Sequence, residues 1–256
     1  MTDRASKLKG LVWVAITCLL GVAFAFGISP VVRAIPWNWE ISLSHLFSSD
    51  LPSQPCRQNA QAESLLNRLV KRIYPLDHED TLFSIDVQVI HNPVINAYAA
   101  LGGKISVNSG LLKQAESPEE FAGVLSHEIG HVQRRHILEG AIIHIFTTQG
   151  IDMIFSGGTS STADWTEYFL RMNFTRSQEA EADEAGLRRL QKAHVDNQGF
   201  KHFFERMEKS ESLSTFISDH PSNGARMEMV DTFDNQGVTP IMTPEEWQVL
   251  KNYCQP

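Results

Sequence analysis

The chain has 256 residues, of which 42% are hydrophobic and 20% charged, enough for one well-packed domain with a short appendage. Its net charge of −8 and the lack of a long run of Lys and Arg argue against a nucleic-acid partner. None of the three cysteines (Cys18, Cys56 and Cys254) stands in CxxC spacing, so a cysteine-based zinc site and a thioredoxin-like redox pair are both unsupported.

A membrane-spanning helix is the first predicted element. The 23 residues from Gly10 to Val32 carry no charge and are enough to cross a hydrocarbon core of about 30 Å. Basic residues precede this run, which predicts a cytoplasmic tip and an anchor over residues 1–32, with the rest of the chain outside. A cleaved signal peptide ending near Ala25 is the alternative. An extracytoplasmic location would permit a disulfide bond between Cys56 and Cys254.

The soluble part divides into three predicted regions. Residues 33–58 mix Pro, Ser and aromatic residues without a clear period, which is typical of a juxtamembrane linker. An ordered domain is expected over residues 59–235, and a tail with one short helix over residues 236–256. The domain opens with apolar residues at helical spacing, which predict an amphipathic helix from Asn59 to Tyr74.

A small antiparallel sheet is expected next. The run from Thr81 to Ile90 is rich in β-branched residues, which indicates a strand. Two further runs, Asn96–Leu101 and Lys104–Val107, flank Gly102-Gly103, a pair that suits a tight hairpin turn. No later segment has a comparable strand pattern, so the predicted fold class is α+β and mainly helical.

Helices should form most of the remaining domain. Ser117, followed by Pro118 and two glutamates, is a helix-start signature. The apolar stretch Gly140–Phe155 contains His, Gln and Asp, which favour a buried or membrane-grazing helix over a spanning one. Further helices are predicted over residues 163–195 and 198–209, and after a second capping pattern at Thr243.

The first of these helices contains His127-Glu128-Ile129-Gly130-His131. Two imidazoles four residues apart lie on one helix face and can reach a single tetrahedral ion. Glu128 is placed to take a proton from a water molecule activated by zinc, as a general base. Catalytic zinc uses three protein ligands, and His136 points to another face of the same helix, so a third ligand must come from another element. The alternative is a helix whose histidines are only hydrogen-bonded.

A second carboxylate-rich segment lies downstream. Glu179 and Asp183 are four residues apart and face one way on a helix, whereas Glu181 points roughly opposite. Alanines at positions 180 and 182 would allow this helix to pack closely against the first motif.

These motifs together resemble a family of zinc metallopeptidases that combine HExxH with ExxAD. The family includes the CAAX prenyl proteases, the membrane protease HtpX, periplasmic BepA and the mitochondrial Oma proteases. The resemblance covers about residues 60–230 and rests on His127-Glu128-x-x-His131, Glu179-x-x-Ala182-Asp183, Asn96-Ala97-Tyr98-Ala99 before Gly102-Gly103, and His220-Pro221 with Arg226. Thr175-Arg176 departs slightly from the Ser-Arg that the family commonly shows.

The resemblance implies a zincin-like domain with one Zn²⁺ per chain. Glu179 would be the third zinc ligand beside His127 and His131, and Asp183 would steer a ligand histidine. His220 would lie near the metal, where it either stabilises the oxyanion or takes the open coordination position. The alternative is that His220 is an ordinary turn residue before a proline.

Substrates are expected to be polypeptides. If residues Asn96, Ala97, Tyr98 and Ala99 form an exposed edge strand, an extended peptide could pair with it through main-chain hydrogen bonds. The alternative is a hairpin that only covers the core. The sequence therefore predicts a membrane-anchored endopeptidase in protein quality control, acting on unfolded or misassembled proteins, most plausibly in the periplasm of a bacterium. The competing hypothesis is a zinc-stabilised chaperone that captures extended segments without hydrolysing them.

Overall fold

A computed structural model describes residues 27–47, 56, 59–75, 84–146, 172–209, 220 and 224–254. These residues form ten α-helices and one three-stranded sheet, so the α+β, mainly helical class is confirmed. The helices are α1 (Ser29–Ala34), α2 (Trp37–Phe47), α3 (Ala60–Ile73), α4 (Ser109–Gln114), α5 (Pro118–Arg134), α6 (His136–Phe146), α7 (Arg176–Lys192), α8 (Gln198–Glu208), α9 (Gly224–Val230) and α10 (Pro244–Lys251), and the strands are β1 (Asp86–Ile90), β2 (Ala97–Ala99) and β3 (Lys104–Asn108).

The sheet is mixed, which corrects the expectation of a wholly antiparallel one. Strand β3 lies in the centre, parallel to β1 and antiparallel to β2. The predicted hairpin between β2 and β3 is present, and its turn contains Gly102 (φ 75°) and Gly103 (φ 83°), conformations that favour glycine. The alternation of apolar and polar residues indicates which face of a strand is buried but not which strand lies beside it. Nothing in the sequence therefore indicated that β3 lies between β1 and β2.

Of the predicted linker, residues 33–58, the structure describes 33–47 and 56, and residues 37–47 form helix α2. Helix α1 begins at Ser29, inside the uncharged run predicted as the anchor. Most of the predicted spanning helix, residues 10–26, lies outside the described residues. Among the helices that are described, none is both long enough and apolar enough to cross a membrane.

Side-chain caps fix where several helices begin. Ser117 and Thr243 each accept a backbone hydrogen bond at the start of α5 and α10, as their sequence patterns predict, and Asn59 does the same at the start of α3. Helix α7 begins at Arg176, not near residue 163, because Thr175 caps it with a reciprocal Gln178 contact and residues 172–175 are not helical. Residues 147–171, which include the end of the predicted Gly140–Phe155 helix, lie outside the described residues.

Helix α5 is the centre of the core, and every residue from Glu120 to Val132 is buried. It crosses α7 at very short range because glycines stand at the crossing. A Cβ atom on Gly130 would lie 2.5 Å from the carbonyl oxygen of Ala182, and one on Gly186 would lie 3.1 Å from the backbone nitrogen of His127. The close crossing brings side chains of both helices to one point.

A disulfide bond joins Cys56 to Cys254. It connects the chain just before α3 to the end of α10. The pairing that the sequence only permitted is therefore present. Disulfides persist mainly in oxidising compartments.

Candidate metal centre

Four side chains converge where α5 crosses α7. His127 and His131 come from α5 and Glu179 from α7, while His220 precedes α9. Each offers one ligand atom, and these atoms lie within 4.8 Å of one another. His127, His131 and Glu179 are fully buried and His220 is nearly so. The structure thus brings together the two predicted histidines, the predicted carboxylate and the loop histidine.

The distances between these atoms match a tetrahedral site. The Nε2 atoms of His127 and His131 are 3.0 Å apart. Glu179 lies 3.4 Å from the first through Oε2 and 3.3 Å from the second through Oε1. Ligands about 2.0–2.1 Å from a tetrahedral zinc ion are separated by about 3.4 Å. Two imidazoles and a carboxylate are also among the ligand types that zinc prefers, so the residues fit this ion.

Asp183 and Arg226 fix the orientation of His127. The Nδ1 atom of His127 donates a hydrogen bond of 2.8 Å to Asp183 Oδ1, which leaves Nε2 free of a proton and directed at the site. Arg226 binds both oxygens of Asp183, with Nη2 at 2.7 Å from Oδ1 and Nε on Oδ2. Its Nη1 lies 2.9 Å from Glu179 Oε2. One guanidinium therefore supports both buried carboxylates of α7, Glu179 and Asp183.

His131 is held by two rings. Phe174 stacks on it with centroids 3.8 Å apart and planes inclined by 26°. His136 approaches its other nitrogen, with 3.0 Å between the two Nδ1 atoms. Sequence reasoning placed His136 on another helix face and gave Phe174 no role.

Glu128 lies beside the ligand set but is not one of the four converging groups. It is fully buried, and its Oε1 is 3.5 Å from His220 Nε2. Among the described residues, neither carboxylate oxygen of Glu128 has a hydrogen-bond partner of good geometry. The Ala99 backbone is nevertheless close enough to lower the pKa of Glu128 slightly. A buried carboxylate without strong partners is costly, so its presence indicates a functional role.

Burial and charge shift the pKa values around the site in opposite directions. Burial raises the pKa of Glu128, and the charges of His220 and His127 oppose part of that rise. Burial also acts to raise the pKa of Glu179, but His220, His127 and a hydrogen bond from His131 outweigh it and hold that pKa far below its usual range. The pKa of His131 is depressed by burial, which favours the neutral imidazole that binds metals.

Asp183 and His220 have pKa values set by their partners. Burial opposes ionisation of Asp183, yet hydrogen bonds from Arg226 and His127 keep its pKa below the usual value. Burial likewise opposes the charged form of His220, but the carboxylates of Glu179 and Glu128 raise its pKa to about 9.

The predicted substrate strand lies at the sheet edge next to α5. Its backbone bonds to β3 through Asn96 O, which accepts from Asn108, and through Ala100 N–H, which donates to Lys104. By the alternation of an antiparallel ladder, the backbone groups of Ala97 and Ala99 turn away from β3. Both alanine side chains are buried and Tyr98 is half-buried, so the strand covers the core, and the Ala97 N–H donates to Asn96 Oδ1 at 2.9 Å.

Comparison with known proteins agrees with this geometry. The profile of peptidase family M48 matches residues 57–234, which contain the whole ligand set. The chain belongs to peptidase family M48. Membership in M48 confirms the resemblance to zinc metallopeptidases, and the group of His127, His131, Glu179 and His220 can hold one metal ion, consistent with zinc.

Several M48 relatives are similar over the same region. The mitochondrial metalloendopeptidase OMA1 of Arabidopsis thaliana is 34% identical over 57% of this chain and 31% of its own length. OMA1 of Schizosaccharomyces pombe is 28% identical over 73% of this chain and 59% of its own length. The beta-barrel assembly-enhancing protease of Escherichia coli is 28% identical over 46% of this chain and 27% of its own length. The matched part is thus about a quarter to three fifths of the length of these relatives.

Sequence reasoning missed the supporting residues of the M48 site. Arg226 was known only as part of a resemblance, although it contacts both Asp183 and Glu179. Gly130 and Gly186 enable the close helix crossing; Gly130 faces Ala182, one of the two alanines that the sequence singled out, but neither glycine was given a role. A small residue every four positions on facing helices is the signal that could have identified this crossing.

Proposed function

We propose that this protein is a zinc-dependent metalloendopeptidase that hydrolyses peptide bonds in unfolded or misassembled proteins. The observation that carries the proposal is Glu128, a buried carboxylate next to three zinc-type ligands that is not needed as a ligand itself. Relatives named metalloendopeptidases support the same activity. We propose residues 59–235 as the peptidase domain, which the family match over 57–234 supports.

Each residue of the site has a proposed role. His127, His131 and Glu179 hold zinc, and Asp183 orients His127. The ion, when bound, polarises the substrate carbonyl and acidifies a water molecule. Glu128 takes the proton of that water and returns it to the leaving amine, a function favoured by its raised pKa. His220, 3.5 Å from Glu128, either stabilises the oxyanion or acts as a fourth ligand.

Substrate binding is proposed at the edge of β2. The N–H groups of an extended peptide would donate to the carbonyl groups of Ala97 and Ala99, since the Ala97 N–H already donates to Asn96 Oδ1, and residues Asn96 and Tyr98 would flank the peptide. Main-chain pairing recognises an extended conformation more than particular side chains. This preference suits chains that are unfolded or misassembled.

A location outside the cytoplasm is proposed for the domain. The uncharged run Gly10–Val32 supports an N-terminal anchor, and the basic residues before it support a cytoplasmic N-terminus. The disulfide between Cys56 and Cys254 supports an oxidising compartment, such as the bacterial periplasm. Protease added to intact spheroplasts should therefore digest the domain. Protection until the membrane is permeabilised would place the domain inside.

The proposed activity is tested with Glu128→Gln. Because Glu128 moves a proton and does not hold the metal, the variant should keep about one zinc ion per chain but lose cleavage of casein. Zinc content and release of casein peptides are the measurements, and Glu184→Gln, at the surface of α7, is the matched control. If the Gln variant cleaves casein as the unaltered protein does, Glu128 is not the base. If the unaltered protein binds zinc and casein but never cleaves it, the non-hydrolytic chaperone is the correct function.

A further inference from the structure

His136 is a buried histidine that the ligand set does not include. It is the first residue of α6 and is only 3% exposed. Its Nδ1 lies 3.0 Å from Nδ1 of His131, which is the ring nitrogen remote from the metal position. The two rings are inclined by 70°, with centroids 5.1 Å apart.

The turn at Arg135 makes this contact possible. In an unbroken helix, a residue five positions after His131 would lie about 140° away around the axis. Arg135 instead adopts a left-handed conformation (φ 62°, ψ 30°), which ends α5 and redirects the chain. Helix α6 then starts with His136 folded back against His131.

The N-terminal helices hold Arg135 in that conformation. Its Nε donates to Glu40 Oε2 at 2.9 Å, its Nη1 donates to the carbonyl of Val32 at 2.9 Å, and its guanidinium lies 4.2 Å from the centre of the Trp37 ring. The other oxygen of Glu40 accepts from Gly102 N–H at 3.3 Å. A left-handed conformation is unfavourable for a residue with a Cβ atom, so these contacts stabilise the turn. The three residues that contact Arg135, namely Val32, Trp37 and Glu40, lie outside the part of the chain that matches the family.

A metal-bound His131 needs a hydrogen-bond acceptor for the proton on its Nδ1, and His136 is placed to be that acceptor. When Nε2 of a histidine faces a metal ion, Nδ1 carries the ring proton and needs a hydrogen-bond acceptor. For His127 that acceptor is Asp183. For His131 the nitrogen within reach is Nδ1 of His136, which accepts if its own proton is on Nε2. Glu181 Oε2 lies 3.8 Å from that Nε2 and favours this tautomer.

We infer that His136 is the positioning residue of His131, held in place by the turn at Arg135 and the Glu40 carboxylate. Phe174 fixes the tilt of the His131 ring by stacking, and His136 fixes its rotation within the ring plane. The site therefore uses two different acceptors, a carboxylate behind His127 and an imidazole behind His131. This inference rests on the proposed zinc site.

The test measures zinc affinity of the full chain by competition with a chromogenic chelator. His136→Ala should weaken zinc binding about 10–100-fold, the usual effect of losing a group that orients a ligand. His136→Asn should stay within about threefold of the unaltered protein, because the amide oxygen can replace Nδ1 as acceptor. His144→Ala removes a histidine from the same helix and should have no effect. Visible spectra of the cobalt forms should change for His136→Ala alone.

The outcomes separate this inference from the proposed function. Thermal unfolding of the metal-free proteins shows whether each variant folds. If the Ala variant does not fold, zinc affinity is measured on the Asn variant. Equal zinc affinity and identical cobalt spectra for His136→Ala and the unaltered protein would overturn the inference while leaving the zinc site intact. Weak binding by both the Asn and Ala variants would also overturn it, since packing and not the accepted hydrogen bond would then matter. Failure of the unaltered protein to bind zinc would overturn the proposed function itself.

Discussion

Two regions of this molecule bury charged groups, and they differ in how many partners each charge has. At the metal centre, Asp183 contacts His127 and two nitrogens of Arg226, and Glu179 contacts three histidines and the same arginine. At the N-terminal helices, the charged partner of Glu40 among the described residues is Arg135, supplemented by a backbone N–H. A shared network can lose one contact and keep others, whereas an isolated pair leaves a buried charge unpaired.

The largest effect is expected from a substitution in the metal centre. Glu179→Ala should abolish most zinc binding, because it removes the ligand that α7 supplies to the ion. Glu184→Ala, five residues along α7 and paired with Arg188 at the surface, should leave zinc content nearly unchanged. Metal analysis after dialysis against low zinc measures both variants. The opposite ranking would mean that the third ligand is not Glu179.

Glu40→Gln tests the second region. Removing the charge leaves Arg135 buried without its counterion, which should cost about 3–5 kcal/mol of unfolding free energy. Both side chains are less than 5% exposed, so solvent does not compensate. Glu184→Gln is the matched control, since its pair with Arg188 is exposed and contributes about 0.3–0.5 kcal/mol. Denaturant unfolding of both variants gives the comparison, and equal stabilities would show that α1 and α2 are only an appendage.

A smaller effect on stability and zinc affinity is expected from widening the crossing of α5 and α7. Gly130→Ala would place a methyl group 2.5 Å from the Ala182 carbonyl oxygen and push α5 away from α7. Overpacking of this kind costs about 1–3 kcal/mol. Because the two helices carry different ligands, zinc affinity should fall as well. Gly224→Ala, where a Cβ meets nothing within 4 Å, is the control. Unchanged zinc affinity in the Gly130 variant would mean that the site tolerates a wider crossing.

The parts that sequence predicted share one property, which is short range along the chain. Spacing within a helix placed His127 and His131 on one face, and local capping patterns located the starts of α5 and α10. Helical spacing also explains why Glu181 is only half-buried while Glu179 is fully buried.

The parts that sequence did not predict depend on contacts between distant residues. The turn at Arg135 needs Glu40, 95 positions earlier, and no local pattern favours a left-handed arginine. Helices α1 and α2 are short and lack a strong apolar period, so their order comes from contacts with α6, with the β2–β3 turn and with Arg135. The direction of β1 likewise depends on its neighbour β3 and not on its own residues.

The disulfide between Cys56 and Cys254 has a consequence for a molecule that cuts polypeptides. It closes a covalent ring over a sequence separation of 198 residues, which includes every residue of the proposed active site. A single self-inflicted cut anywhere inside that ring would leave the two fragments linked. Nicked molecules would migrate as one species on a gel without reductant and separate when thiol is added.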